Sequence, residues 1–346
     1  MHYPADPNPK NNTTPPHHAP RTIHALASYL ADDFPATAGA GAGAAITATT
    51  PPDTNSTSTA LGRVHSIFTH AINISIGDTL LTLCDDPSAG IPDSVVLSPA
   101  DFARLQLRCD DPVRIARHQL LFASSPTPTT PTTAVALTGP NYDNRFPSNV
   151  SIALPTLLHD RLDAIDAAFL AGHRLPAGAE ERFPLLLAAI AAADHAACAT
   201  HLRALIGLGP GLTPATDDAL LGLLAVHAFL TATTTTTTAA TALPMPARPQ
   251  FPALVSRLAA TLTTAVSHKY LRCAAQDRFA QPLIHSVLAI MTAPTSPQAT
   301  TAPFPTPDAS ALRRLVATGH SSGRDTLRGV VLTIRRIFAT HHAPNR

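Results

Sequence analysis

The stretch Pro214–Leu230 is apolar on nearly every side. A helix without a polar face has to be wrapped by other protein elements or by lipid. Its apolar run falls short of the ~20 residues that span a bilayer, so the chain must supply other helices to cover it. The residues after 150 do so. Pro155–Ala171 sets Leu158, Leu162, Ile165 and Phe169 on one face at helical spacing. Glu180–Ala193 and Asp194–Ile206 follow as Ala/Leu helices. In Pro252–Val266, Leu254, Leu258 and Leu262 stack one turn apart. Gly323–Ala339 turns Leu327, Val330, Val331, Ile334 and Ile337 inward and leaves Arg324, Arg328 and Arg335 largely outward.

Before residue 150 the period shortens. Val64, Ser66 and Phe68, then Ala71–Ile76, alternate loosely, and Gly77-Asp78 marks a turn before Leu80–Leu83. Further strands are expected at Ser94–Leu97, Val113–Ala116 and Ala134–Leu137, with a short helix from Pro99 to Leu105 capped by Ser98. The fold class is therefore α+β. Residues 61–150 form a β-rich domain and residues 151–346 a mainly helical one. Residues 1–60, sparse in large apolar groups, read as a disordered tail with room for one short helix around Ile23–Leu30. Ser124–Thr133, Thr231–Gln250 and Thr292–Pro307 read as Thr/Pro-rich loop insertions.

Charge narrows the function. Lys+Arg number 24 and Asp+Glu 23, so no basic surplus exists to neutralise a phosphate backbone and nucleic acid is excluded as a partner. Cys84, Cys109, Cys198 and Cys273 lie far apart without a C-x-x-C pair. They read as thiols in a reducing compartment, with no metal site and no disulfide. No secretory signal pattern is evident, so the expected location is the cytoplasm, away from any membrane.

Three segments carry candidate chemistry. In Gly207-Leu-Gly-Pro-Gly-Leu-Thr-Pro-Ala-Thr-Asp217-Asp218, three alternating glycines lead into the apolar helix. Thr213 suits its cap and Pro214 its first position. Gly207, Gly209 and Gly211 let the backbone approach a ligand, and the free N–H groups there favour an anion. Asp217 and Asp218 can orient a nitrogenous substrate. The same residues also read as a tight turn whose acids complement the helix dipole. No Lys follows the glycines, so this is no nucleotide-binding P-loop. In Gly319-His320-Ser321-Ser322-Gly323-Arg324-Asp325-Thr326, a histidine and two hydroxyls open the last helix, as an ordinary cap or as an anion site. In Gly62-Arg63-Val64-His65, Arg63 can grip a carboxylate or phosphate. Lys269 and Tyr270 read as helix continuation.

Together these stretches resemble the AllH-type family. The residues that carry the resemblance are GRVHSIFTHAIN (62–73), LIGLGPGLTPATDDALLGLL (205–224), SHKYLRCAAQDRFAQPL (267–283) and GHSSGRDTLRGVV (319–331). The family usually has Ser-Gly where this chain has Ala215-Thr216. The resemblance implies a subunit of oxamate carbamoyltransferase in allantoin and purine-nitrogen catabolism. Such a subunit works beside FdrA-like and AllG-like chains, interconverting oxalurate plus phosphate with oxamate plus carbamoyl phosphate, and needs no cofactor. In that reading His320 carries the proton. Arg63, His65, Gly207, Gly209, Gly211, Thr213, Asp217, Asp218, Ser321 and Ser322 bind a small anionic substrate. The alternatives are a non-catalytic scaffold or small-anion-binding partner of an FdrA-like catalytic chain, and a stand-alone carboxylate sensor. If Thr213 and His320 belong to one site, the two helix starts must converge in space.

Overall fold

The computed structural model describes residues 21–24, 27–28, 60–116, 119–123, 132–137, 141–148, 150–234, 250–293 and 309–339. Its first part is a mixed sheet built from β1 (Arg21–His24), β2 (Ala27–Ser28), β3 (Ala60–Ile67), β4 (Ala71–Ile76), β5 (Thr79–Cys84), β6 (Ser94–Val96), β7 (Pro112–Ala116), β8 (Gln119–Ala123) and β9 (Thr132–Ala136), with α1 (Pro99–Arg104) before β7. The spatial order is β1-β9-β8-β7-β3-β4-β5-β6-β2. All neighbours are antiparallel except β1 with β9 and β5 with β6.

One face of this sheet is aliphatic. Val64, Ile72, Ile74, Leu81, Leu83 and Ile115 belong to a single buried cluster. Every residue of β5 is buried, because its second face also meets protein. Leu81 and Leu83 point to the aliphatic cluster, so Leu80, Thr82 and Cys84 point the other way, toward the helices. A bulge between Val64 and Ser66 shifts the register of β3 and sets Ser66 opposite Asn73. Asn73 in turn lies opposite Thr82, and Thr82 opposite Ser94. The result is one polar row crossing four strands on the helix-facing side.

The helical part comprises α2 (Pro155–Phe169), α3 (Ala179–Ala192), α4 (His195–Leu205), α5 (Ala215–Thr234), α6 (Gln250–Leu262), α7 (Ala265–Ala274), α8 (Gln281–Met291), α9 (Ala309–Val316) and α10 (Ser322–Ala339). Helix α5 is the apolar helix read from the sequence, and it runs four residues into the Thr-rich tract. Ala215–Thr233 is thereby long and apolar enough to cross a membrane by composition, yet 78% of its apolar window is buried inside the fold. The wrapping is done by helices. Helix α10 lies closest, because Gly222 and Gly329 remove the side chains at the crossing. A Cβ on Gly329 would stand 2.0 Å from the Ala219 carbonyl oxygen, and one on Gly222 would stand 2.3 Å from that of Thr326. Both obstacles are backbone, so the helices would have to separate. Gly329→Ala is expected to cost about 1–3 kcal/mol, the usual range for overpacking, read as a lowered urea midpoint at unchanged slope.

Several expectations need correction. Arg21–His24 and Ala27–Ser28, placed in a disordered tail with a short helix around Ile23–Leu30, are strands. They add to β9 and β6, whose outer edges would otherwise leave backbone groups unpaired. The rest of the tail, and most of the three Thr/Pro tracts, lie outside the described residues. The helix expected over Pro252–Val266 is two helices. Helix α6 ends at Leu262, and Thr264 caps α7 by accepting from the Ser267 N–H. Strand β8 was not foreseen.

Candidate functional site

The close α5–α10 crossing brings the starts of both helices together. The Thr213 and Ser322 hydroxyls are 2.8 Å apart, although 109 positions separate them in sequence. They border a cavity of about 250 Å³ that lies between these helix starts and the polar row of the sheet. Asn73 and Thr82 form its sheet wall, Asp218 and Ser322 its helix wall, and Tyr270 and Phe68 add aromatic surface.

The two aspartates have separate duties. Asp217 accepts from the Gly207 N–H at 2.8 Å, from Ser267 at 2.7 Å and from the Thr263 hydroxyl. It therefore fastens the glycine turn to the α6–α7 corner, and it does not border the cavity. Asp218 borders the cavity, is 6% exposed, and has an Oδ2 without a hydrogen-bond partner. Burial pushes its carboxyl up to about 8. The Ser322 and Thr213 hydroxyls oppose that shift, and the charges of Asp325 and Asp217 add to it. A buried carboxyl oxygen without a partner is costly in a finished fold, which makes Asp218 a candidate ligand-binding group. Behind it, Asp325 is paired with His173 at 2.9 Å.

The glycines serve the turn. Gly207 and Gly209 have φ of 81° and 129°, and a Cβ on either would strike backbone of Leu262 or Ala215. Gly207, Gly209 and Gly211 do not border the cavity, whereas Leu212 and Thr213 do. At the other start Gly319 and Ser322 border it, while His320 and Ser321 are exposed beyond the lining. Arg63 is exposed and donates to the Asp110 carbonyl at 3.0 Å. His65 sits at the β3 bulge, 3.2 Å from the Ser66 hydroxyl. The structure thus joins Thr213, Asp218 and Ser322 in one place, and leaves Arg63, His65, His320 and Ser321 outside the lining.

Sequence reasoning missed the sheet wall. Thr82 donates to Asn73 Oδ1 at 2.7 Å, and Asn73 Nδ2 donates to Ser66 at 3.0 Å. Lys269 on α7, read as mere helix continuation, is 3% exposed and donates to Thr82 Oγ1 at 2.5 Å and to the Asp93 carbonyl at 3.1 Å. The available signal was a polar residue at the same point of alternation in two neighbouring strands. Among the described residues no group of three or more His, Cys, Asp or Glu side chains has the arrangement of a metal site.

Fold and site together define an α+β protein with a small cavity between a polar sheet row and two converging helix starts. Comparison with family models gives this class its place. A model described as oxamate carbamoyltransferase subunit AllH matches residues 205–334, and one described as the AllH family N-terminal domain matches residues 43–139. The chain belongs to the AllH family, described as a subunit of oxamate carbamoyltransferase and hence as one component of a multi-subunit enzyme. No solved structure matches it.

Proposed function

We propose that this chain supplies the oxamate and oxalurate pocket of a cytoplasmic carbamoyltransferase, working beside FdrA-like and AllG-like subunits. The carrying observation is the buried Asp218 carboxyl, whose Oδ2 lacks a partner although the Thr213 and Ser322 hydroxyls stand beside the group. An amide N–H of the substrate is the partner that this oxygen lacks. In the synthetic direction the oxamate nitrogen attacks the carbonyl carbon of carbamoyl phosphate. A C–N bond forms, the C–O bond to phosphate breaks, and the nitrogen's proton passes to Asp218. Phosphorolysis of oxalurate runs the same steps backward, with Asp218 returning the proton to the departing nitrogen. The Thr213 and Ser322 hydroxyls, which border the cavity at the two helix starts, stabilise charge on the carbonyl and phosphoryl oxygens. His320, exposed one residue past Gly319, passes the proton on to solvent.

A second reading, an anion-binding partner of a catalytic FdrA-like chain, draws on the commitment of Asp217 and the glycines to the turn. One pair of measurements tests both. Calorimetric titration of the full chain with oxamate should show binding that Asp218→Asn weakens. The complex co-expressed with its neighbouring subunits should consume carbamoyl phosphate in the presence of oxamate. Binding without any effect of Asp218→Asn on turnover by the complex would favour the second reading. No binding of oxamate to chain or complex would overturn the first.

A further inference from the structure

The cavity has walls of opposite electrical character. On the helix wall stand Asp218 and, behind it, Asp325 and Asp217. On the sheet wall, Lys269 reaches Thr82 from behind, and Arg272 and Arg278 lie beside it. The three cations face a single carboxylate, that of Asp93. Arg278 grips Asp93 Oδ1 at 2.9 and 2.8 Å, and Arg272 holds Oδ2 at 3.2 Å. Lys269 bonds only the Asp93 carbonyl, not its carboxylate. The thiols of Cys84 and Cys273 nearby are pushed up to about 11, mainly by burial, and stay neutral. Positive charge is therefore left uncompensated behind Thr82, in a place where low polarity strengthens it.

We propose that Lys269 is a positioning residue which, through Thr82 and Asn73, holds the carboxylate end of a short amide-bearing anion while Asp218 holds its N–H end. The inference rests on the pocket proposed above and fixes which way the ligand lies in it. The bonds on the page give the sheet wall its direction. Thr82 accepts from Lys269 and so gives its own hydrogen to Asn73 Oδ1. Asn73 is thereby oriented with its NH₂ toward Ser66 and the cavity side. That group has two hydrogens, and Ser66 takes one. The second serves a carboxylate oxygen, and the ammonium behind Thr82 supplies the charge. Burial pushes Lys269 down to about 8, which still leaves it mostly protonated at neutrality. With the carboxylate at this end, the reacting amide nitrogen lies at Asp218, as the transfer requires. A ligand with two neutral ends would gain nothing from the ammonium behind the sheet wall.

The test compares oxamate with oxamide, its uncharged diamide, by calorimetric titration of the full chain. Wild type should bind oxamate more tightly than oxamide. Lys269→Met, close in length and apolar, should weaken oxamate at least tenfold and leave oxamide within about twofold. A merely structural lysine would lower both affinities together, and that result, or no change for oxamate, overturns the proposal. Should Lys269→Met not fold, Thr82→Val decides by the same comparison. It keeps the ammonium and removes the hydroxyl through which it acts, and again only oxamate should suffer. If neither the wild-type chain nor its co-expressed complex binds either ligand, the pocket itself is refuted and the anchor with it. If wild type binds both ligands equally, the pocket stands and the anchor alone is refuted.

Discussion

Asp218→Asn should lower turnover of the complex by about 10²–10⁴-fold, the range for losing a general acid–base group, and at the same time make the chain more stable. The two effects have one cause. In the fold the Asp218 carboxyl is pushed up to about 8 by burial, against an ordinary value of 3.8. Between those values the folded chain holds a proton that the unfolded chain has released. Stability therefore falls as pH rises through this window, and the penalty is complete above about 8. Asparagine carries no such penalty. The melting temperature of Asp218→Asn should exceed that of wild type by a margin that grows from pH 5 to pH 8. The neighbouring residue should behave in the opposite way. Asp217→Ala removes the acceptor for the Gly207 N–H and for two hydroxyls, and should cost about 3 kcal/mol, at the upper end for buried groups left unpaired. A destabilised Asp218→Asn protein would mean that this carboxyl is structural. Turnover by wild type adds a check on sign. Synthesis needs the ionised base and should rise with pH through about 8. Phosphorolysis needs the protonated acid and should fall over the same interval.

Much of this arrangement is legible in the sequence, and the reason lies in the range of the forces involved. Helix α5 announces itself because its apolar residues are contiguous. The caps at Ser98 and the proline at the start of α2 are local, and the structure has both. Burying two helices of one domain against each other allows their starts to converge or to lie at opposite ends, and the structure has them converge, with glycines at the crossing. What escaped the sequence depends on register. Ser66, Asn73 and Thr82 are ordinary residues until a bulge aligns them. Lys269 lies 187 positions from the hydroxyl it bonds, and α7 alone gives no hint of that partner. The two N-terminal strands escaped because their stability comes from the edges they join, not from their own composition.

The largest loss of stability from a single charge should come from Asp93→Asn. Asp93 has a φ of 52°, a left-handed conformation that asparagine adopts as readily as aspartate. The substitution therefore leaves the turn before β6 unstrained and changes the charge alone. That carboxylate is 2% exposed and is the shared partner of Arg278 and Arg272, the former only 7% exposed. Removing one member of such a cluster leaves buried cations uncompensated, at a cost of about 3–5 kcal/mol. The loss bears on the whole molecule, because Asp93 belongs to the sheet and its partners to α7 and the turn before α8. Those bonds tie the two parts of the chain together behind the cavity. Part of the deficit should depend on pH, with a definite sign. Asp93 helps to hold the Lys269 ammonium up against burial, so its loss drops Lys269 further below about 8. The resulting gap between variant and wild type is complete below the lowered value and closes as pH rises through about 8, where Lys269 discharges in both proteins. The arginine portion remains at every pH in the range. Urea unfolding at pH 6.5 and pH 9 should show the larger deficit at the lower pH. A deficit under 1 kcal/mol at both would mean that solvent reaches the cluster and that the sheet and helices are held together by apolar packing alone.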